Sequence, residues 1–222
     1  MGGIYMDCLK NYRSNHPSQR VSNLRDRDGS GQGTGEFWKL RCAHLMDPCF
    51  DAIMRGNRLL DAVESLIGPN IRVVVCQGLY KPPYKGHQFN WHQDNHYFQI
   101  DKPDGVVSCW LALDDVTIDN GCMWVLPGGH RHVAKHDVDS SDGSSYIPGV
   151  DETEAVAIEL KRGECMFHHG LMPHRTLANK TSSHRRALVI HYMDTSARLP
   201  QSRVQEPAQN TPVIRGAGAG EP

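Results

Sequence analysis

The sequence lacks an excess of charge of either sign, with 24 Lys and Arg against 25 Asp and Glu and a formal charge of -1. Such balance sets up no field to gather a nucleic-acid backbone or an anionic membrane, which excludes polyanion binding as a default function. Long apolar runs are also missing. None approaches the roughly 18 to 20 residues that a membrane helix needs, and the N-terminus MGGIYMDCLK has no signal-peptide stretch. Close cysteine pairs are absent too. Cys8, Cys42, Cys49, Cys76, Cys109, Cys122 and Cys165 are scattered and odd in number, without the C-x-x-C spacing of structural zinc or dithiol redox sites. They read as reduced, mostly buried thiols, so a cytoplasmic protein is expected. No internal repeat is visible.

What the chain does contain fits one globular domain: 222 residues, 39% of them apolar, with mean hydropathy -0.51. Residues 11–36 hold few apolar side chains among clustered Gly and Ser, so residues 1–36 are expected to be a mobile or truncated N-terminal arm. From Pro200 the chain is rich in Pro, Gly and polar residues, and residues 200–222 are expected as a flexible tail. The folded body is then 37–199. Histidine is the compositional outlier at 13 residues, and it is the commonest metal ligand and the usual acid or base near neutrality.

Asp47-Pro48 is a helix start, a capping carboxylate before a proline at the first helical position. Phe50, Ile53 and Met54 share a face, as do Leu59, Leu60, Val63, Leu66 and Ile67 beyond a weak point at Gly56-Asn57; Gly68-Pro69 ends the stretch. The period then changes. IRVVVCQGLY, VVSCWLALDDV, CMWVLP, AVAIEL, ECMFHH and RALVIHYM are short β-branched and aromatic runs separated by Gly, Pro, Asn and Asp. Asp119-Asn120-Gly121 carries a hairpin signal, and Pro127-Gly128-Gly129 turns the chain again. Many short strands beside one helical stretch predict a mainly β jelly roll with flanking helices.

In FNWHQDNHYF, His92 and Asp94 lie two residues apart, and on an extended strand such residues point to one face. One metal ion could touch both. Iron held octahedrally by two histidines and a carboxylate on one face keeps three positions open, so one further histidine is needed, and His168, His169, His174, His184 and His191 are candidates.

The segments WHQDNHYF, CWLALDDVTIDNGCMWVLPGGH and GECMFHHGLMPHRTLANKTSSHRRALVIHYM together resemble the phytanoyl-CoA dioxygenase family of non-haem iron, 2-oxoglutarate-dependent oxygenases, over roughly residues 37–195. The resemblance implies a double-stranded β-helix of the cupin type. It makes His92, Asp94 and His174 the ligands of iron(II). It makes Arg185, eleven residues after His174, the partner of the far carboxylate of 2-oxoglutarate, with Thr176 as a hydroxyl donor to the same group. A planar guanidinium suits that task because it grips a carboxylate bidentately and keeps its charge when enclosed. The resemblance also places Trp110 as an aromatic wall beside the cosubstrate, Gln77 in the lining of its pocket and Lys39 as a lysine reaching it. It implies dioxygen as co-reactant, ascorbate as a candidate reductant and a small-molecule substrate. The implied reaction decarboxylates 2-oxoglutarate to succinate and carbon dioxide while hydroxylating an unactivated C–H bond. Asp94 favours hydroxylation over halogenation, since halogenating relatives of this scaffold replace the carboxylate by a small residue. A non-catalytic binding module that retains the metal site is the alternative.

Other polar residues have plainer readings. His168, His169 and His191 are expected as core histidines in strands, and His130, His132 and His136 as members of a solvated loop after the Pro-Gly-Gly turn. Tyr97, Phe98 and Gln99 are candidates to face the substrate. Lys81-Pro82-Pro83 reads as a loop entering the site, and Arg186 is the off-by-one rival of Arg185, pointing to the opposite face of a strand.

Overall fold

The computed structural model describes residues 21–25, 36–85, 88–140, 143–200 and 211–220. Asp47 caps the first helix by accepting the Cys49 N–H at 2.8 Å, and Pro48 takes the first helical position of α1 (Pro48–Met54). Gly56 is extended, so the expected single helical stretch divides into α1 and α2 (Asn57–Ile67). Phe50, Met54, Leu60 and Val63 are buried on the shared face, whereas Leu66, expected there, is 55% exposed. A short third helix, α3, spans Asp94–Phe98.

The strands among the described residues are β1 (Val21–Arg25), β2 (Glu36–Arg41), β3 (Ile71–Lys81), β4 (Phe89–His92), β5 (Val106–Ala112), β6 (Met123–Val125) and β7 (Asp137–Val138). They continue with β8 (Ser145–Tyr146), β9 (Val156–Ile158), β10 (Cys165–His169), β11 (His174–Thr176), β12 (Arg185–Asp194) and β13 (Val213–Arg215). The larger sheet runs β1-β2-β3-β12-β5-β10 with β13 also on β3, and the smaller runs β4-β11-β6-β9. This is the two-sheet jelly roll that the residue pattern predicts.

Two apolar layers sandwich the larger sheet. On its outer face Leu188, Ile190 and Tyr192 of β12 pack with Phe50, Met54, Leu60 and Val63 of the helices. On its inner face Ala187 and Val189 join Trp110, Ala112, Met123 and Val125 in a core between the sheets. The alternation has period 2, as in a strand buried on both sides. Arg185 and His191 continue the inner row. On β11, Arg175 points the other way from His174; its guanidinium lies 5.0 Å from the Trp91 ring and 5.8 Å from the Trp124 ring and hydrogen-bonds Glu152, which pins the strand that carries His174.

Several expectations need correction. Residues 21–25, assigned to the arm, pair as β1 with β2, and 213–215, assigned to the tail, pair with β3. Backbone pairing on a sheet requires no apolar pattern, so composition misses it. The rest of the arm before residue 36, and 201–210 of the tail, lie outside the described residues. Asp119-Asn120-Gly121 is a turn but not a hairpin, because β5 and β6 belong to different sheets. Asn120 shapes it by accepting the Thr117 N–H at 2.8 Å and donating to the Asp115 carbonyl at 2.8 Å. Lys81 ends β3 rather than opening a loop. Among the described residues six cysteines are free, and no helix is long and apolar enough to cross a membrane; Cys8 lies outside them.

Candidate metal centre and adjoining cation pocket

His174 of β11 pairs directly with His92 of β4, which brings their ring centroids to 4.2 Å. Asp94 starts α3 instead of continuing the strand. Gln93 between them is extended (φ -114°, ψ 134°), so the chain still returns Asp94 to the side of His92. One ligand atom from each of His92, Asp94 and His174 lies within 4.8 Å of the others. Both ring orientations are set by carbonyls: His92 Nδ1 donates to Asn90 O at 2.7 Å, and His174 Nδ1 donates to Met172 O at 2.9 Å. Each Nε2 therefore presents a lone pair. Burial pushes the His174 imidazole down to about 3, with His92 adding to the effect, and burial lowers His92 as well. Neutral imidazoles are the form that binds a metal.

The carboxylate of Asp94 is divided between two tasks. Its Oδ1 lies 3.7 Å from His174 Nε2. Its Oδ2 accepts from Ser108 Oγ at 3.0 Å and from His168 Nε2 at 2.9 Å. Because Ser108 spends its hydrogen on Asp94, its oxygen must accept from His191 Nδ1, 2.7 Å away. Burial alone pushes the Asp94 carboxyl up, but the imidazoles of His174, His191 and His168 outweigh it and hold the group well below the usual carboxylate range. Two neutral imidazoles and one carboxylate oxygen, with the second oxygen already engaged, fit a divalent ion that retains vacant positions.

A second cluster of polar groups lies on the inner face of the larger sheet. Arg185, 1% exposed, opens β12 and sits over the Trp110 ring at 5.5 Å. Directly across the ladder is Lys81, fully enclosed, whose ammonium donates to Thr176 Oγ1 at 2.9 Å and to the Leu177 carbonyl. Burial pulls the Lys81 ammonium well below the usual lysine range, and Arg185 adds to the pull. Arg186 turns outward instead. Its backbone N–H and guanidinium grip Asp114 at 2.9, 2.7 and 2.6 Å.

A family profile described as phytanoyl-CoA dioxygenase (PhyH) matches residues 12–187 of this chain. The chain belongs to the phytanoyl-CoA dioxygenase family. It is similar to phytanoyl-CoA dioxygenase 1 of Oryza sativa subsp. japonica, 31% identical over 156 residues that make up 68% of this chain and 55% of the relative. It is also similar to human peroxisomal phytanoyl-CoA dioxygenase, 33% identical over 144 residues, 60% of this chain and 43% of the relative. The chain thus spans about half the length of the curated relatives it matches. Among solved structures, the apo form of the non-haem monooxygenase ThoJ superposes with TM-score 0.74 at 26% identity, over 97% of this chain and 75% of that one. The epimerase SnoN, in complex with Fe3+, α-ketoglutarate and nogalamycin RO, shares the fold with TM-score 0.69 at 23% identity, over 98% of this chain and 86% of that one.

Within this phytanoyl-CoA dioxygenase family member, the remaining sequence candidates fall in different places. Gln77 and Lys39 are half-buried on β3 and β2, with Gln77 in register with Arg41 and Val189 and Lys39 with Leu79. Enclosure pushes the Lys39 ammonium down to about 8, Arg41 works in the same direction, and Asp94 opposes them. Tyr97 lies edge-on to His92 with ring centroids 5.8 Å apart, Phe98 lies edge-on to His191 with centroids 4.9 Å apart, and Gln99 is an exposed helix cap. His169 meets Asp104 at 3.2 Å, away from the ligands. His132 is exposed, as expected of its loop, but His136 is not a bystander: its Nε2 accepts the N–H of Gln93 at 3.1 Å and its ring stacks on His96 at 3.9 Å. Gln93 itself ties that loop down, its amide donating to His132 O and Leu171 O at 2.7 Å each and accepting from Ala134 N at 3.0 Å. Sequence reasoning missed Ser108, Lys81 and Gln93; His168 is the buried, hydrogen-bonded strand histidine expected, and its partner is the Asp94 carboxylate.

Proposed function

We propose that this protein is an iron(II)- and 2-oxoglutarate-dependent dioxygenase that hydroxylates an unactivated C–H bond of a small organic metabolite. The observation that carries the reading is the convergence of His92, Asp94 and His174 ligand atoms within 4.8 Å, with the buried Arg185 on the facing sheet opposite Lys81, which bonds Thr176 of the His174 strand. Membership of the family and the likeness of the fold to ThoJ and SnoN support it.

Iron(II), 2-oxoglutarate and dioxygen, when bound together, supply the oxidising power for C–H hydroxylation, with succinate and carbon dioxide released. The protein's own work is positioning. His92 and His174 hold the metal through Nε2, and Asp94 holds it through Oδ1 while Ser108 and His168 keep its other oxygen away. Arg185 and Thr176 receive the far carboxylate of 2-oxoglutarate, and Trp110 closes the pocket behind the guanidinium. Gln77 and Lys39 line the approach on neighbouring strands. The apolar core between the sheets keeps water from the pocket floor.

The test is anaerobic iron(II) titration of apoprotein followed by 2-oxoglutarate turnover in air with ascorbate. One equivalent of iron taken up, succinate formed with it, and both lost in Asp94→Ala are the expected results. Uptake of iron and 2-oxoglutarate with no succinate across a broad metabolite pool would instead identify a non-catalytic binding module. No uptake at all would defeat the metal reading.

A further inference from the structure

We infer that Lys81 is a positioning residue of the carboxylate pocket, aiming the Thr176 hydroxyl at the far carboxylate of the ligand and setting a second positive charge beside Arg185. This rests on the 2-oxoglutarate reading above. Lys81 is fully enclosed, yet among the described residues its ammonium touches no carboxylate: its acceptors are the hydroxyl of Thr176 and the carbonyl of Leu177. Its direct partner across the ladder is another buried cation, Arg185. Like charges opposite one another in a sheet repel, and a buried charge is costly unless paired. An anion entering beside the Lys81 ammonium relieves its unpaired burial and screens it from Arg185, and an acid with a carboxylate at its far end brings that anion.

The lysine cannot withdraw. Asn179 pins the backbone at this strand end, its amide donating to Lys81 O at 3.2 Å, Pro82 O at 3.1 Å and Ser183 O at 2.7 Å. From the other side Gly121, at φ +88°, lies so near that an added Cβ would stand 2.4 Å from Leu177 O and 3.3 Å from Lys81 Cδ. The consequence for Thr176 is directional. A hydroxyl has one hydrogen, and since Oγ1 accepts from Lys81, that hydrogen is left to donate. Among the described residues it has no other partner, so a carboxylate oxygen held by Arg185 is its natural acceptor. An ammonium has three N–H bonds, of which two are accounted for here, so the third is available to the same anion.

The experiment uses the full chain loaded with manganese(II), without dioxygen, and measures equilibrium binding of two 2-keto acids. 2-Oxoglutarate carries the far carboxylate; 2-oxobutyrate keeps the keto-acid end and lacks it. Lys81→Met should weaken 2-oxoglutarate at least tenfold and leave 2-oxobutyrate within twofold. In the Thr176→Val background the same substitution should cost less than it does in wild type, because the hydroxyl it aims is gone. The ligand-free Lys81→Met protein should melt no lower than wild type, since a strained charge has been removed. If that variant fails to fold, Lys81→Gln, which keeps a donor for Leu177 and discards the charge, carries the same comparison. Equal weakening of both acids, or undiminished 2-oxoglutarate binding, would overturn the inference alone. A wild-type protein that takes up manganese but binds neither acid would overturn the 2-oxoglutarate reading, and this inference with it.

Discussion

Replacing His168 by Phe should weaken metal binding, although His168 is not itself a ligand. Its Nε2–H donates at 2.9 Å to Asp94 Oδ2, and that oxygen has one other close donor, Ser108 Oγ at 3.0 Å. Phenylalanine preserves the ring and removes the donor, so Asp94 gains freedom to rotate and its buried Oδ2 is left with half its support. Loss of a hydrogen-bond partner to a metal ligand costs roughly 10- to 100-fold in affinity. With Ser108 still in place the lower end applies, about tenfold, which is about 1.4 kcal/mol. Ser108→Ala should cost more, because it removes one bond to Asp94 and strands His191 Nδ1 as well. His168→Gln restores a donor near the position of Nε2 and should recover most of the loss. The assay is anaerobic titration of apoprotein with manganese(II) or iron(II), the melting temperature of each apo variant serving as the control for folding. If His168→Phe binds metal within twofold of wild type, or His168→Gln is as poor as His168→Phe, the Oδ2 bond does not orient the ligand and the reasoning fails.

Arg185→Ala should raise the 2-oxoglutarate requirement far more than Arg186→Ala, which should instead lose about 1 to 2 kcal/mol of stability by breaking the grip on Asp114; the reverse ranking in a 2-oxoglutarate titration would refute the strand register. Acid should destabilise the metal-free protein. His174 and His191 are held down to about 3 and about 4, both mainly by burial, against an unfolded value of 6.5, so below pH 6.5 the unfolded chain takes up protons that the folded one refuses. The stability is fully present above about pH 6.5 and is lost as pH falls toward the folded values, each histidine contributing up to about 1.4 kcal/mol per pH unit. Denaturant midpoints that stay level between pH 7 and 4.5 would contradict this. Gly121→Ala combines a left-handed backbone with a Cβ 2.4 Å from a carbonyl oxygen and should cost at least about 2 kcal/mol, read as a fall in the urea midpoint.

What could be read from the residues and what could not divides along a physical line. Local chemistry was legible: the Asp47-Pro48 cap, the β-branched runs, and the His-x-Asp spacing that survives because Gln93 is extended. The family resemblance carried the choice of His174 and Arg185, since nothing local separates His174 from His168 or Arg185 from Arg186. Contacts made across long sequence separations were not legible. Lys81 meets Thr176 at a separation of 95 residues and Ser108 meets Asp94 at 14, and each looks ordinary in its own strand. His168 has the burial of a core histidine, and only the partner of its Nε2 distinguishes it. β1 and β13 join the sheet through backbone groups, which leave no trace in hydrophobic periodicity.

The outward hold of Asp114 on Arg186 also guards against misreading of the strand. Adjacent arginines at the head of β12 are chemically equivalent, and sliding the ladder by one position would exchange their destinations and turn every following side chain inside out. By seizing both the amide and the guanidinium of only one of them, Asp114 breaks that degeneracy at the strand's first residues and makes the slipped ladder the less stable one.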